Sequence, residues 1–130
     1  MVRTKNQNRG SKSKGSQMEL STYDSLKELY PDLRLTKELG YVLQFDLVSE
    51  REEVAIECKA HQSFSWNELT KLYKKLKDAA PVGYTCYLVF KGNRQPTLVM
   101  IEICSDCYGV EEFECQFGRP FIKHTGVKKQ

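Results

Sequence analysis

Three side chains in the stretch QFDLVSEREEVAIECK, residues 44–59, have the types and spacing to do chemistry together: Asp46, Glu57 and Lys59. Side chains alternate faces along a strand, so Glu57 and Lys59 point the same way while Ile56 and Cys58 point the other. By the same rule Gln44 and Asp46 are expected on one face of the preceding strand, opposite Leu43, Phe45 and Leu47. Two strands joined by SEREE should pair antiparallel, which brings Asp46 beside Glu57. Neighbouring carboxylates repel unless they share a cation, and ligands made only of oxygen suit Mg²⁺ or Mn²⁺. Such an ion keeps several waters, so it polarises a phosphate oxygen and activates the water that attacks phosphorus. Asp46 and Glu57 would hold the ion, and Lys59 would orient the water or stabilise charge building on the phosphate. The chemistry implied is metal-assisted phosphodiester hydrolysis. The same residues also suit a plainer arrangement, in which Asp46 caps a turn and Glu57 and Lys59 form cross-strand ion pairs on a solvated sheet face.

The elements that must position these groups can be read on either side. Leu20, Tyr23, Leu26, Leu29 and Tyr30 recur at helical spacing and Pro31 ends the run, predicting a helix over residues 17–30. An edge strand is expected around Leu33–Thr36, then a turn before the Asp46 strand. Ser65 and Glu68 form a capping box for a second helix, whose inner face would carry Trp66, Leu69, Leu72, Tyr73, Leu76 and Ala80. Its outer face carries Lys71, Lys74, Lys75 and Lys77, a solvated face that also suits a phosphate backbone. Pro81 and Gly83 break this helix, and residues 84–90 follow as an almost continuously apolar strand, as expected for burial on both faces. The helix has the right length for a parallel crossover from the Glu57 strand. GNRQP then turns the chain into a strand over residues 97–103.

The spacing Asp46-x10-Glu57-x-Lys59 resembles the signature of the PD-(D/E)xK nuclease superfamily, an acid followed by (D/E)xK on the next strand. The predicted order of elements matches the αβββαβ core of that superfamily, a restriction-endonuclease-like α/β fold with a mixed central sheet flanked by helices. The first helix begins KGSQMEL, similar to the K-G-x-Q-x-E opening of archaeal-type Holliday-junction resolvases, some of them encoded by viruses and phages. The match falls on Lys14, Gly15, Gln17 and Glu19, and the resemblance covers about residues 14–103. It implies that Glu19 is a third active-site acid, although on the residues alone Glu19 also reads as a charge complementing the helix N-terminus. It further implies a basic residue between that helix and Asp46, for which Arg34 and Lys37 are the candidates. The activity implied is Mg²⁺-dependent cleavage of four-way DNA junctions by a homodimer, one site per protomer nicking opposed strands. Two-fold pairing of protomers suits a substrate of two-fold symmetry.

Composition bounds the partners. The 130 residues fit one domain, and no apolar run approaches membrane-spanning length, so a soluble intracellular protein with no membrane partner is expected. Five cysteines, an odd number, favour reduced thiols. The net charge of +3 hides an asymmetry. Residues 1–16, expected as a disordered arm, carry Arg3, Lys5, Arg9, Lys12 and Lys14 with no acid, and residues 123–130 form a second basic tail with Lys123, Lys128 and Lys129. Removing these eight leaves twelve basic residues against all seventeen acids, so the domain over residues 17–122 is acidic, near −5. Basic arms on an acidic body fit a polyanion such as branched DNA, each contact releasing counterions. The spacing Cys104-x2-Cys107-x7-Cys115-x8-His124 suits a tetrahedral Zn²⁺. Against it, EEFECQF alternates like a strand that would bury Phe113, Cys115 and Phe117. The apolar groups of FGRPFI, residues 117–122, suggest a dimer surface.

Overall fold

The structure, a computed structural model, describes residues 17–39 and 44–123. Helix α1 occupies residues 17–26, followed by β1 (Arg34–Leu35), a 3-10 turn (Thr36–Leu39), β2 (Leu47–Ser49) and β3 (Val54–Ala60). Helix α2 (Trp66–Ala79) leads to β4 (Thr85–Lys91), β5 (Leu98–Cys104), β6 (Cys107–Glu112) and a short α3 (Phe113–Phe117). The strands form one six-stranded sheet in chain order, antiparallel at every seam except β3–β4, which is parallel. The fold is therefore α/β, a mixed sheet flanked by helices. The parallel seam forms across α2 as the crossover length predicts.

Strand alternation divides the interior in two. Val54, Ile56 and Cys58 of β3 and Val89 of β4 pack with Met18 and Leu26 of α1 and Phe113 of α3. Ala55, Leu88, Phe90 and Met100 pack on the other side with Leu69, Tyr73 and Leu76 of α2. The central strands are thus covered on both faces, the physical reason that residues 84–90 are so apolar. Helix α2 starts where expected: Ser65 accepts from the Glu68 N–H while the Glu68 carboxylate accepts from the Ser65 N–H. Tyr73 ties helix to sheet, its hydroxyl donating to the Cys86 carbonyl at 2.8 Å and accepting from the Glu102 N–H at 3.1 Å.

Several expectations are corrected. The buried stripe of α1 is Met18, Ser21, Thr22, Ser25 and Leu26, whereas Leu20 and Leu29 are each 41% exposed. The apolar pattern missed this because small hydroxyl residues fill three of the five positions of the stripe. They can be buried because their oxygens are paired: Thr22 donates to the Met18 carbonyl at 2.8 Å and Ser25 Oγ accepts from the Ile122 N–H at 2.7 Å. Trp66 is 55% exposed and only edges against Tyr108, so it is not a core residue. The segment EEFECQF is not a strand. Glu111 and Glu112 end β6 and the next five residues are helical, which buries Phe113 but leaves Cys115 exposed. Of the apolar groups of residues 117–122, Phe117 and Phe121 pack against Phe113 within the chain and stay partly exposed, and Ile122 is 45% exposed.

Candidate active site

The site forms where β2 stops short of β3. The last ladder rung pairs Leu47 with Ile56, so Asp46 lies one rung further, opposite Glu57. Asp46 is not itself in a strand: residues 44–46 bend, and the expected alternation fails there, with Phe45 in the α2-side core and Leu47 in the α1-side core. Leu43 lies outside the described residues. The bend is held by Asp46 itself. Its N–H donates to the Ile56 carbonyl at 3.0 Å, its carbonyl accepts from the Thr36 N–H at 2.9 Å, and its Oδ2 accepts from the Cys58 N–H at 2.8 Å. Thr36 Oγ1 also donates to the Phe45 carbonyl. The carboxylate thus stands in for the backbone acceptor that a longer β2 would have offered, and one of its oxygens is fixed beside β3.

Three carboxylates meet at this gap. Glu57 rises from β3 with its side chain 16% exposed, and its pKa is pushed up to about 8, first by burial and then by the neighbouring Asp46. Glu19 enters from the first turn of α1, and burial followed by Asp46 raises its carboxyl as well. Lys59 Nζ stands 3.4 Å from Glu57 Oε2, and Lys37 Nζ stands 3.7 Å from Glu19 Oε1. Both ammonium groups oppose the upward shifts without cancelling them. Partly buried acids that raise each other's proton affinity lack a positive charge between them, and a divalent cation is the usual remedy. Among the described residues, no three His, Cys, Asp or Glu side chains are arranged to hold a metal ion as they stand. One or two carboxylates with water completing the shell is the normal ligation of Mg²⁺, and the donor set Asp46 and Glu57 fits that ion. Cys58 supplies no nucleophile, because burial pushes its thiol well above the usual range.

The other sequence candidates fall into place around this cluster. Lys37 belongs to it through Glu19, whereas Arg34 pairs with Glu50 at 3.1 Å, one residue beyond β2 at its far end. Lys71, Lys74 and Lys75 are exposed along the outer face of α2, and His61 is exposed and stacked on Phe64 at 4.8 Å. Of the zinc set, Cys104 and Cys107 face each other where β5 meets β6, and Cys115 lies in α3 beyond the other end of β6. Six residues at about 3.3 Å each separate those two ends by roughly 17–20 Å. His124 lies outside the described residues, as do Arg3, Lys5, Arg9, Lys12 and Lys14. Sequence reasoning missed Thr36, which clamps Asp46 through its backbone; a lone threonine before a turn carries no periodic or motif signal.

Comparison with known proteins finds no matching family model, no matching curated protein and no matching solved structure. Among the described residues, no helix is long and apolar enough to cross a membrane.

Proposed function

We propose that the chain is a metal-dependent DNA endonuclease with a restriction-endonuclease-like core, acting as a homodimer that resolves four-way junctions by paired nicks. The observation that carries the reading is the convergence of Glu19, Asp46 and Glu57, with Lys59 beside Glu57, at the end of a shortened strand. Asp46 and Glu57 would hold Mg²⁺ or Mn²⁺, which supplies Lewis-acid charge and a water of lowered pKa when bound. Asp46 is preorganised for this: its backbone and one oxygen are fixed by Thr36, Ile56 and Cys58, so little reorganisation precedes binding. Lys59, 35% exposed, keeps its ammonium at the mouth of the gap, where it can donate to the attacking water or to a phosphate oxygen. Glu19 and Lys37 close the opposite wall, the acid able to take a proton and the base able to meet a non-bridging oxygen.

The resemblance of residues 14–19, 46 and 57–59 to junction resolvases supports the choice of substrate, and the basic segment Arg3–Lys14 supports a polyanion. The test is a synthetic four-way junction incubated with the protein and Mg²⁺. Symmetric paired nicks are expected, abolished by Glu57→Gln while junction binding persists. Nicks on linear duplex alone would assign a restriction-type or repair nuclease, and binding without cutting would reduce the chain to a nucleic-acid-binding module.

A further inference from the structure

Cys104 and Cys107 do not belong to the site above, and their placement is that of a reactive pair. They are Cα partners closing the β5–β6 hairpin across Ser105 and Asp106, just past a register shift between Glu102 and Cys104, with Asp106 at φ +60° in the left-handed region. Ladder partners stand about 4.5–5.5 Å apart at Cα. That lies inside the window of about 4.4–6.8 Å that a disulfide spans. Directly opposed residues share a face of the sheet, and Cys107 is near enough to raise the Cys104 thiol above its ordinary pKa. Both residues are exposed, whereas Cys58 and Cys86 are buried. The tip is also held in place from below, because Glu102 accepts from the Asp106 N–H at 3.3 Å and pairs with Lys77 of α2. The two sulfurs are therefore close, accessible and on a braced scaffold.

We propose that Cys104 and Cys107 form a redox-active dithiol that closes to an intrachain disulfide by exchange with a small-molecule disulfide such as glutathione disulfide. One thiolate of the pair attacks the glutathione S–S bond and expels one glutathione thiolate, leaving a protein–glutathione mixed disulfide. The second cysteine, deprotonated, attacks the protein sulfur of that bond, forming the intrachain S–S and expelling the second glutathione. Two protein thiols are oxidised, one glutathione disulfide is reduced, and the two protons pass to the departing thiolates. The second step is intramolecular between groups already in contact, so the mixed disulfide should not accumulate. Cys115, exposed but without an opposed cysteine, is the internal control.

The test uses the full chain, reduced, then exposed under native conditions to glutathione disulfide, quenched with acid and read by intact mass and peptide mapping. The expected product is a monomer with a Cys104–Cys107 disulfide and no glutathione held on either cysteine, while Cys115 retains glutathione as a mixed disulfide. The Cys104→Ser variant should instead hold one glutathione stably on Cys107, and Cys107→Ser one on Cys104. Two glutathiones on the wild-type pair, a disulfide linking two chains, or a mixed disulfide that accumulates on Cys104 or Cys107 as it does on Cys115 would each overturn the proposal.

Discussion

A carboxyl whose folded-state pKa lies above its unfolded value makes a metal-free site a place of stored repulsion. Glu57, raised from 4.5 to about 8, binds its proton more tightly in the folded chain than in the unfolded one. Its stabilising contribution is therefore complete below the ordinary glutamate pKa and is lost as pH rises through about 8. Without metal, the stability of the wild type minus that of Glu57→Gln should fall between about pH 5 and pH 9, so the variant is the more stable at high pH. Thermal melts in chelator across that range check it, and a flat difference would show that Glu57 feels neither burial nor Asp46. Added Mg²⁺ should raise the melting temperature of the wild type near pH 8, and not that of Glu57→Gln or Asp46→Asn. That Asp46 would come opposite Glu57 was legible in the sequence because antiparallel register is a strict geometric rule, whereas the alternation expected over residues 43–47 fails where the chain bends at Asp46. The choice between Arg34 and Lys37 was not legible, since a two-residue strand followed by a 3-10 turn has no period to read. The structure separates them, and Lys37→Ala should lower cleavage by about a hundredfold while Arg34→Ala leaves it nearly unchanged, as single-turnover rates on a junction would show.

Elements were legible where a motif or a period was unbroken and illegible where hydroxyls replaced carbon. The capping box of α2 is local and was plain in the sequence. Replacing Ser65 by alanine should cost about 1 kcal/mol, because the Glu68 N–H loses its acceptor. The face of α1 was misjudged, since Ser21, Thr22 and Ser25 look polar and only their pairing makes burial tolerable. That pairing reaches across the chain: Ser25 receives the Ile122 N–H at 2.7 Å, and its carbonyl accepts from Arg119 at 3.4 Å. No sequence pattern joins positions 97 residues apart. Ser25→Ala should cost roughly 1–2 kcal/mol in denaturant titrations, as the Ile122 N–H is left without a protein partner, with the loss concentrated in faster amide exchange over residues 117–123.

For the molecule as a whole, the proposed function requires an acidic body of about −5 to approach a polyanion, and two sets of cations are available to it. One is the segment carrying Arg3, Lys5, Arg9 and Lys12; the other is the outer face of α2 with Lys71, Lys74 and Lys75. Each phosphate contact contributes about 0.9 to the slope of log affinity against log salt on duplex arms, so the two can be told apart by counting. Neutralising these four of the segment's five basic residues should shallow that slope by up to about 3–4 and weaken junction binding by orders of magnitude at low salt. It should change single-turnover cleavage at saturating protein little, because the groups proposed to do the chemistry lie on β3, α1 and the bend at Asp46. Neutralising the three lysines of α2 should shallow the slope by up to about 2–3, since α2 packs on the sheet face that carries Ala55, and Glu57 and Lys59 alternate onto that same face. A slope that follows α2 and ignores the segment would assign the backbone contacts to the helix that shares a sheet face with Glu57 and Lys59, and would leave the segment no part in junction binding.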